Sequence, residues 1–219
     1  MAINIAIDGP SASGKSTIAN ELCKELGYNH LDTGAMYRCV ALKVVNENID
    51  YTDESALEEM LARTTISYSP EGNIMLDGVE VGKAIRTDEI SMMASNVSTK
   101  MCVRTYLVAM QQEIAANGGY VMDGRDIGTV VLPDAEVKIY LVADPRVRAK
   151  RRYLENKEKG IKSKSLRELE KEIIERDYQD THRKISPLKK ADDAIEIDSS
   201  HLSIQQVVDE VMKIVNEKI

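Results

Sequence analysis

Short apolar runs of strand length alternate along the chain with longer stretches in which apolar residues recur at helical spacing. Helical patterns cover 15–26, 106–116 and 202–215, with Ser200 or Ser203 near the start of the last one. Strands joined through helices imply right-handed crossovers, and therefore a parallel sheet covered by helices on both faces. The runs that predict the five strands of this sheet are 3–7, 29–32, 120–122, 137–142 and 194–197.

Residues 64–82 break the alternation with three short β segments. The turn signals Pro-Glu-Gly-Asn at 70–73 and Asp77-Gly78 separate these segments. An antiparallel β piece within a parallel α/β chain predicts an inserted subdomain. The helical patterns that flank it cover 34–46, 53–62 and 84–98.

Residues 152–184 are rich in Lys, Arg and Glu and contain few large apolar side chains. Because such a segment buries little surface, we expect a mobile helical arm that acts as a lid. Arg176, Asp180 and Arg183 are spaced i, i+4 and i+7, which places them on one helical face. That face can clasp a phosphate and a sugar hydroxyl; an ion pair within the helix is the alternative.

The composition, 43% hydrophobic and 30% charged, is that of an ordinary soluble protein. A chain of 219 residues fits one large α/β domain or a core with insertions. No apolar stretch approaches the roughly 18 residues of a membrane span, so no membrane association is expected. The widely spaced Cys23, Cys39 and Cys102 are expected to be thiols in a reducing cytoplasm rather than disulfides or metal ligands.

The net charge of −7 is unevenly distributed. Residues 145–190 hold 16 Lys/Arg and 8 Asp/Glu, so the rest of the chain is strongly acidic. A globally acidic chain is a poor candidate for binding nucleic acid nonspecifically. The basic block favours a small polyanion as ligand, with a solvated charged helix as the alternative.

The strand at 3–7 leads into Gly9-x4-Gly14-Lys15-Ser16, a complete Walker A phosphate loop, and a helical pattern follows it. Backbone N–H groups of such a loop, at a helix N-terminus, bind phosphate oxygens. Lys15 can reach the β- and γ-phosphates, and the Ser16 hydroxyl can ligate Mg²⁺. A chance glycine turn would not place all these features in register. The residues predicted to bind ATP are Gly9, Pro10, Ser11, Ala12, Ser13, Gly14, Lys15, Ser16 and Thr17.

Two further motifs follow predicted strands. Leu-Asp-Thr-Gly-Ala-Met-Tyr-Arg at 31–38 places Thr33 and Arg38 at the carboxyl edge of the sheet, where open α/β sheets bind ligands. The fork of Arg38 suits a second phosphate, although a helix start with a surface arginine is the alternative. In Asp-Gly-Arg-Asp-Ile-Gly at 123–128, Asp123 has the position of a Walker B acid, which would assist Mg²⁺ directly or through water.

Together these motifs resemble the bacterial cytidylate kinases, a family of nucleoside monophosphate kinases. The resemblance rests on GPSASGKST, LDTGAMYR, DGRDIGT and the ERD…D..R of the arm, and it covers nearly the full chain. It implies a P-loop NTPase fold, in which a five-stranded parallel sheet is sandwiched by helices and carries an inserted α+β domain for the monophosphate and a helical lid. The expected divisions are a core of 1–32, 105–150 and 185–219, an insertion of 33–104 and a lid of 151–184.

The resemblance also implies which residues hold the acceptor nucleotide. The family often has Ser where Thr33 stands, and the hydroxyl is kept. The implied contacts are Thr33, Tyr37 and Arg38 near the acceptor phosphate, Ser95, Arg104 and Asp126 at cytosine, Arg125 at a phosphate, and Arg176, Asp180 and Arg183 at phosphates and ribose.

The implied reaction, in pyrimidine nucleotide metabolism, is ATP + CMP ⇌ ADP + CDP, with Mg²⁺ and with dCMP as a second acceptor. The attacking phosphate oxygen is already anionic, so no general base is needed, and His30, His182 and His201 are assigned no chemistry. Catalysis then depends on positioning and positive charge. We expect a cytoplasmic monomer in which Lys15, Arg125, Arg176 and Arg183 supply that charge.

Two other interpretations of a chain with this phosphate loop are a different small-molecule kinase, such as an adenylate or shikimate kinase, and a GTP-binding switch. Residues 64–82 and the 31–38 motif argue against the two kinases. A switch usually needs a guanine-reading Asn-Lys-x-Asp, which this sequence lacks. A screen of acceptors separates the kinases from one another, and slow hydrolysis without any monophosphate acceptor would favour a switch.

Overall fold

The computed structural model describes residues 2–158, 160 and 163–218. Its contacts divide the chain into two compact units, the first of Met1–Leu31 with Asn117–Ile219 and the second of Asp32–Ala116. In chain order the elements are β1 (Asn4–Asp8), α1 (Lys15–Leu26), β2 (Asn29–Asp32), α2 (Thr33–Asn46), α3 (Glu54–Ala62), β3 (Ile66–Tyr68), β4 (Ile74–Leu76), β5 (Val79–Glu80), a 3₁₀ turn (Ala84–Arg86), α4 (Asp88–Val97), α5 (Met101–Ala115), β6 (Tyr120–Gly124), a wide helical turn (Ile127–Val131), β7 (Val137–Val142), α6 (Pro145–Glu158), α7 (Leu166–His182), β8 (Ile195–Asp198) and α8 (Ile204–Asn216).

The first unit is built on a five-stranded sheet in the order β2-β6-β1-β7-β8. Strand β1 runs parallel to both β6 and β7, and β7 runs parallel to β8. Ile5 pairs with Val121 on one side and with Val137 on the other, and all three side chains are buried. Strands buried on both faces are typical of a parallel sheet between helices, which confirms the predicted α/β fold.

Helices α1 and α8 cover this sheet. Leu22 of α1 and Val208 and Val211 of α8 are fully or almost fully buried in the same apolar cluster as the strands. A capping box at Ser203 begins α8, because its hydroxyl accepts from the Gln206 N–H while the Gln206 side chain accepts from the Ser203 N–H. Of the two serines named from sequence, Ser203 is therefore the cap.

The predicted arm is a helical hairpin of α6 and α7. It begins earlier than expected, since α6 starts at Pro145. Ala149, Leu169 and Ile173 form a small buried cluster, against which Ala12 of the phosphate loop also packs. A few apolar residues are thus enough to pack the hairpin, because the two helices bury them against each other and against the phosphate loop. The mobility predicted for residues 152–184 remains a prediction.

The second unit packs α2 to α5 with a three-stranded sheet in the order β3-β4-β5. The strands are antiparallel, as predicted, and Asp77 and Gly78 make the tight turn between β4 and β5, both with positive φ. Asp77 also accepts hydrogen bonds from Lys43 Nζ at 2.6 Å and the Thr65 N–H at 2.8 Å. These bonds fix the hairpin onto α2.

Helix α5 starts five residues before the predicted 106. No side chain caps its N-terminus at Lys100, so the sequence carries no start signal there. The predicted domain boundary after residue 104 lies inside this continuous helix, and the three-part division stays a prediction. Within the described residues, no helix is long and apolar enough to cross a bilayer.

Candidate phosphate-binding site

The loop between β1 and α1 has the backbone that a phosphate loop needs. Gly9 has φ +153°, and a Cβ there would lie 2.1 Å from the Leu141 carbonyl oxygen. Gly14, the N-cap of α1, has φ +99°. Only glycine adopts the first position without a clash, so the strand passes into the loop directly against β7.

Lys15 begins α1 and is buried under this loop. Its Nζ donates to the Pro10 carbonyl at 2.7 Å and lies 3.4 Å from Ser13 Oγ. Burial, followed by the positive charge of Arg125, lowers the pKa of Lys15 to about 7, although Asp123 and Asp8 act in the opposite direction. An added anion would restore the charged ammonium, which is the behaviour expected of a phosphate-binding lysine.

Ser16 and Asp123, the two residues predicted to assist a metal, are in contact. The Ser16 hydroxyl donates to Asp123 Oδ2 at 2.8 Å, and Asp123 lies near the carboxyl end of β6. A hydroxyl and a carboxylate are hard oxygen donors of the kind that Mg²⁺ prefers, so the pair fits this ion. Among the described residues, no group of three or more His, Cys, Asp or Glu side chains could hold a metal by itself.

His30, to which the sequence assigned no chemistry, is the second partner of Asp123. Its Nε2 lies 2.6 Å from Asp123 Oδ1, and its Nδ1 lies 3.1 Å from Asn20 Oδ1. Burial acts to raise the pKa of Asp123, but the hydrogen bond and charge of His30, together with Lys15 and Ser16, outweigh it and hold that pKa below its usual range. The sequence could not show this pair, because it does not reveal that β2 lies beside β6.

Asp8, at the end of β1, is a site residue that no motif marked. Its carboxylate accepts from the N–H groups of Ile127 and Gly128, each at 2.8 Å. Burial raises the pKa of Asp8 to about 6, despite these two bonds. A Cβ on Gly128 would lie 3.2 Å from the Lys138 side chain and 3.5 Å from Asp8. Asp8 therefore ties the loop after β6 to the strand that precedes the phosphate loop.

The loop after β6 also binds the end of α7. Arg125 Nε donates to Asp180 Oδ2 at 2.7 Å, and Arg183 Nη2 lies 3.4 Å from Asp126 Oδ1. Burial acts to raise the pKa of Asp180, but Arg125, then Arg176 and Arg183, together outweigh it and hold that pKa below its usual range. All five of these residues were predicted from two distant motifs, and the structure brings them together.

The prediction that Arg183 shares a helical face with Arg176 and Asp180 is wrong. Arg183 is the C-cap residue of α7 and has extended backbone angles, so it lies outside the helix. Its Nε donates to the Ser186 carbonyl at 2.7 Å. Pro187 follows Ser186, and Ser186 has a left-handed φ of +47°, so the backbone here does not continue the helix. The chain therefore turns here, which directs Arg183 to Asp126.

Two arginines of α6 contact the phosphate loop and were not singled out from sequence. Arg148 Nη1 donates to the Ser11 carbonyl at 3.0 Å, and Arg151 Nη1 donates to the Ser13 carbonyl at 3.2 Å. Arg148 Nη2 also pairs with Asp177 of α7 at 2.6 Å. The basic excess of residues 145–190 was the only signal for them. Part of that charge is buried against the loop instead of facing solvent.

The predicted acceptor residues of the second unit lie on α2, α4 and α5. Arg38 donates from Nη1 to the Ile85 carbonyl and from Nη2 to Ser91 Oγ, both at 3.0 Å. The buried Arg104 lies over the Tyr37 ring, with its guanidinium carbon 5.8 Å from the ring centroid.

The remaining two predicted residues of this unit are on α2 and α4. Thr33 is buried in the first turn of α2, which Asp32 caps by accepting from the Ala35 N–H at 2.9 Å. Ser95 is half-buried on α4, three residues before Ser98, whose carbonyl lies 3.5 Å from Arg104 Nη1. Arg104 thus lies near both Tyr37 and the end of α4.

A model of the family described as cytidylate kinase matches residues 5–217 of this chain. The chain is 51% identical to the cytidylate kinase of Ligilactobacillus salivarius (strain UCC118), over 99% of this chain and 97% of that protein. It is 50% identical to the cytidylate kinase of Thermosipho melanesiensis (strain DSM 12029 / CIP 104789 / BI429), over 100% of this chain and 99% of that protein.

Solved structures share the fold at low sequence identity. An uncharacterized protein from Eubacterium ventriosum ATCC 27560 aligns with a TM-score of 0.53 and 12% identity, over 99% of each chain. A shikimate kinase from Bacteroides thetaiotaomicron aligns with a TM-score of 0.50 and 11% identity, over 98% of each chain. At this identity the likeness concerns the fold alone.

Proposed function

Because this chain belongs to the cytidylate kinase family, we propose that it transfers the γ-phosphoryl group of ATP to CMP, yielding ADP and CDP, and that dCMP is a second acceptor. The observation that carries this proposal is the position of Arg125. Burial and then the charge of Arg125 lower the pKa of Lys15 in the phosphate loop, while Arg125 Nε pairs with Asp180. A lysine assigned to the donor and an arginine assigned to the acceptor thus share one electrostatic environment.

The chain's own residues supply binding and charge neutralisation. Residues 9–17 hold the ATP phosphates, with Lys15 on the β- and γ-phosphates. Arg125, Arg176 and Arg183 balance negative charge on the transferred group. The acceptor attacks through a phosphate oxygen that is anionic near neutral pH, so positioning rather than proton removal limits the reaction.

Ser16 and Asp123 are the residues that would hold Mg²⁺, because they present hard oxygen donors in contact with each other. When bound, the ion neutralises phosphate charge. His30, through its contact with Asp123 Oδ1, fixes the orientation of that carboxylate.

For the acceptor, we assign Thr33, Tyr37 and Arg38 to the phosphate and Ser95, Arg104 and Asp126 to cytosine. Asp180 and Arg183 contact the ribose and phosphates. A carboxylate accepts a hydrogen bond from the cytosine amine, and an arginine donates to the N3 and O2 edge. The hydrogen bonds of Arg38 to Ile85 and Ser91 hold its guanidinium plane in place.

We further propose a cytoplasmic monomer that binds neither nucleic acid nor membranes. The three cysteines are free thiols, and burial raises the pKa of Cys39 to about 12. Unreactive thiols are in keeping with a reducing compartment. Light scattering coupled to gel filtration tests the monomeric state.

A coupled ADP-release assay with CMP, dCMP, UMP, AMP and shikimate as acceptors tests the reaction. We expect CMP and dCMP to be the efficient acceptors. A preference for AMP or shikimate would replace the proposal with a different small-molecule kinase. Slow ATP hydrolysis that no acceptor stimulates would indicate a nucleotide switch.

A further inference from the structure

The phosphate loop is held from the side of α6 and α7 by Arg148. This side chain is only 3% exposed, and each of its nitrogens has a partner. Nη1 donates to the Ser11 carbonyl at 3.0 Å, Nε to the Ala143 carbonyl at 2.8 Å and Nη2 to Asp177 Oδ2 at 2.6 Å. Ala143 directly follows β7, so Arg148 fastens the loop carbonyl to the end of a central strand.

Arg151, one helical turn further along α6, holds the Ser13 carbonyl in the same way. Its Nη1 lies 3.2 Å from the Ser13 carbonyl and 3.0 Å from Ser199 Oγ, and its Nη2 donates to the Ser199 carbonyl at 2.5 Å. Ser199 follows β8, and its own N–H donates to the Val142 carbonyl at 2.9 Å. The second loop carbonyl is therefore also fastened to the sheet.

These contacts fix the direction of loop N–H groups as well as of carbonyls. In a planar trans peptide, the carbonyl of one residue and the N–H of the next point in opposite directions. Since the Ser11 and Ser13 carbonyls point to the arginines, the N–H groups of Ala12 and Gly14 point away from α6.

The peptide between Pro10 and Ser11 shows that Lys15 lies on that opposite side. Its carbonyl accepts from Lys15 Nζ at 2.7 Å, while the Ser11 N–H points to Asp177 Oδ1 at 3.4 Å. Lys15 and the α7 carboxylate thus lie on opposite sides of the loop. The N–H groups of Ala12 and Gly14 are directed to the side where Lys15 presents its ammonium.

The backbone at Ala12 shows why such support is needed. Ala12 has φ +58°, a left-handed conformation that costs an L-residue roughly 1–2 kcal/mol. A strained residue keeps its conformation only where the surrounding structure imposes it. The bonds of Arg148 and Arg151 to the carbonyls on either side of Ala12 impose it here.

We propose that Arg148 and Arg151 are positioning residues for the phosphate donor. In this role they hold the Ser11 and Ser13 peptides so that the Ala12 and Gly14 N–H groups face its phosphates. The inference rests on the proposed function, since it takes ATP as the ligand of the loop. It separates these two arginines from Arg125, Arg176 and Arg183, which act on the phosphates directly.

Arg151 is the residue to vary, because it is half-exposed, whereas removal of Arg148 takes the ion-pair partner away from Asp177. We compare Arg151→Met, Arg151→Lys and Ser199→Ala with the matched control Lys150→Met, an exposed residue of the same helix. Binding of ADP and of inorganic tripolyphosphate is measured by calorimetry, and the KM values for ATP and CMP are measured by the coupled assay.

For Arg151→Met we expect ADP and tripolyphosphate binding and the KM for ATP to worsen about tenfold or more, as for loss of hydrogen bonds from a charged donor. The KM for CMP should stay within about twofold. Arg151→Lys should recover part of the loss, Ser199→Ala should show a smaller loss of the same kind, and Lys150→Met should behave as the unaltered protein.

The inference is overturned if Arg151→Met lowers the melting temperature but leaves ADP binding unchanged, or if it raises both KM values equally. Either result makes Arg151 a structural residue. If the unaltered protein binds ADP but phosphorylates no CMP, the proposed function fails. The positioning role is then still tested by comparing ADP binding between the variants and the unaltered protein.

Discussion

Arg125 and Asp180 form an ion pair at 2.7 Å that joins the loop after β6 to the last turn of α7, with the Asp180 side chain 7% exposed and the Arg125 side chain 19% exposed. The pair links residues that are 55 positions apart in the sequence. Removing one partner of such a pair lowers the free energy of unfolding by several kcal/mol, because the desolvation of the remaining charge is no longer compensated. The pair therefore couples the stability of the α6–α7 hairpin to the placement of an arginine that we assign to the phosphates.

For Asp180→Asn we expect a loss of about 3 kcal/mol in the free energy of unfolding at pH 7. The folded pKa of Asp180 lies below its ordinary value of 3.8. The contribution is therefore fully present above about pH 5 and is lost as the pH falls through the folded pKa. Urea unfolding of both proteins at pH 7 and pH 3.5 measures it. If the two proteins differed in their free energy of unfolding by the same amount at both pH values, the ion pair would be contradicted.

Asp8 should show the opposite pH dependence. Its folded pKa of about 6 exceeds the ordinary 3.8, so the folded protein holds that proton more tightly. Its contribution is full below about pH 4 and is lost as the pH rises through 6. At 1.36 kcal/mol per pKa unit, the unaltered protein should lose about 2–3 kcal/mol relative to Asp8→Asn between pH 4 and 7.5. A difference that is independent of pH in urea unfolding would refute this.

Arg183 should affect turnover much more than donor binding. Removal of an arginine that stabilises transferred charge costs about 10³–10⁵ in rate. We expect Arg183→Ala to lower kcat by about 10³, while the KM for ATP changes by less than about fivefold. Arg167→Ala, an exposed arginine at the start of α7, is the matched control. Unchanged turnover in Arg183→Ala would remove this residue from the mechanism.

Base selection tests the role of Asp126. Uracil carries a carbonyl where cytosine carries an amine, so a carboxylate acceptor would face another acceptor. We expect kcat/KM for UMP to be at least about 10²-fold below that for CMP. Asp126→Asn should narrow this ratio, because its amide can donate to the uracil carbonyl. The ratio is informative even though Asp126 also contacts Arg183, since loss of that contact affects both acceptors alike.

The sequence predicted the bounds of those elements whose ends are marked by capping or turn residues. Helix α1 has the predicted bounds, because Gly14 and Gly27 flank it with positive φ. The start of α5 was missed, because Lys100 offers no cap. Turn chemistry and apolar periodicity are local properties, so a single sequence reveals them.

The site was predictable only where a motif marks it. The loop from Gly9 and the 123–128 loop were found, and the structure adds the partners that hold them. Arg148 reaches Ser11 across 137 positions, and His30 reaches Asp123 across 93. Such pairs depend on strand order and on how α6 docks, which local patterns do not encode.

Gly9 provides the sharpest test of the loop backbone. A Cβ at Gly9 would lie 2.1 Å from the Leu141 carbonyl oxygen, and its φ of +153° disfavours any L-residue. Either β7 or the loop must move, so Gly9→Ala should lose about 1–3 kcal/mol of stability or more. ADP binding should also fall sharply.

Gly82→Ala is the control for this change. Nothing lies within 4 Å of a Cβ at Gly82, and its φ is outside the region that disfavours L-residues. We expect its melting temperature and ADP affinity to match those of the unaltered protein. If Gly9→Ala bound ADP as tightly as Gly82→Ala, the close approach of Gly9 to β7 would not shape the phosphate loop. The loop would then keep its N–H groups in place even though β7 or the loop itself had moved.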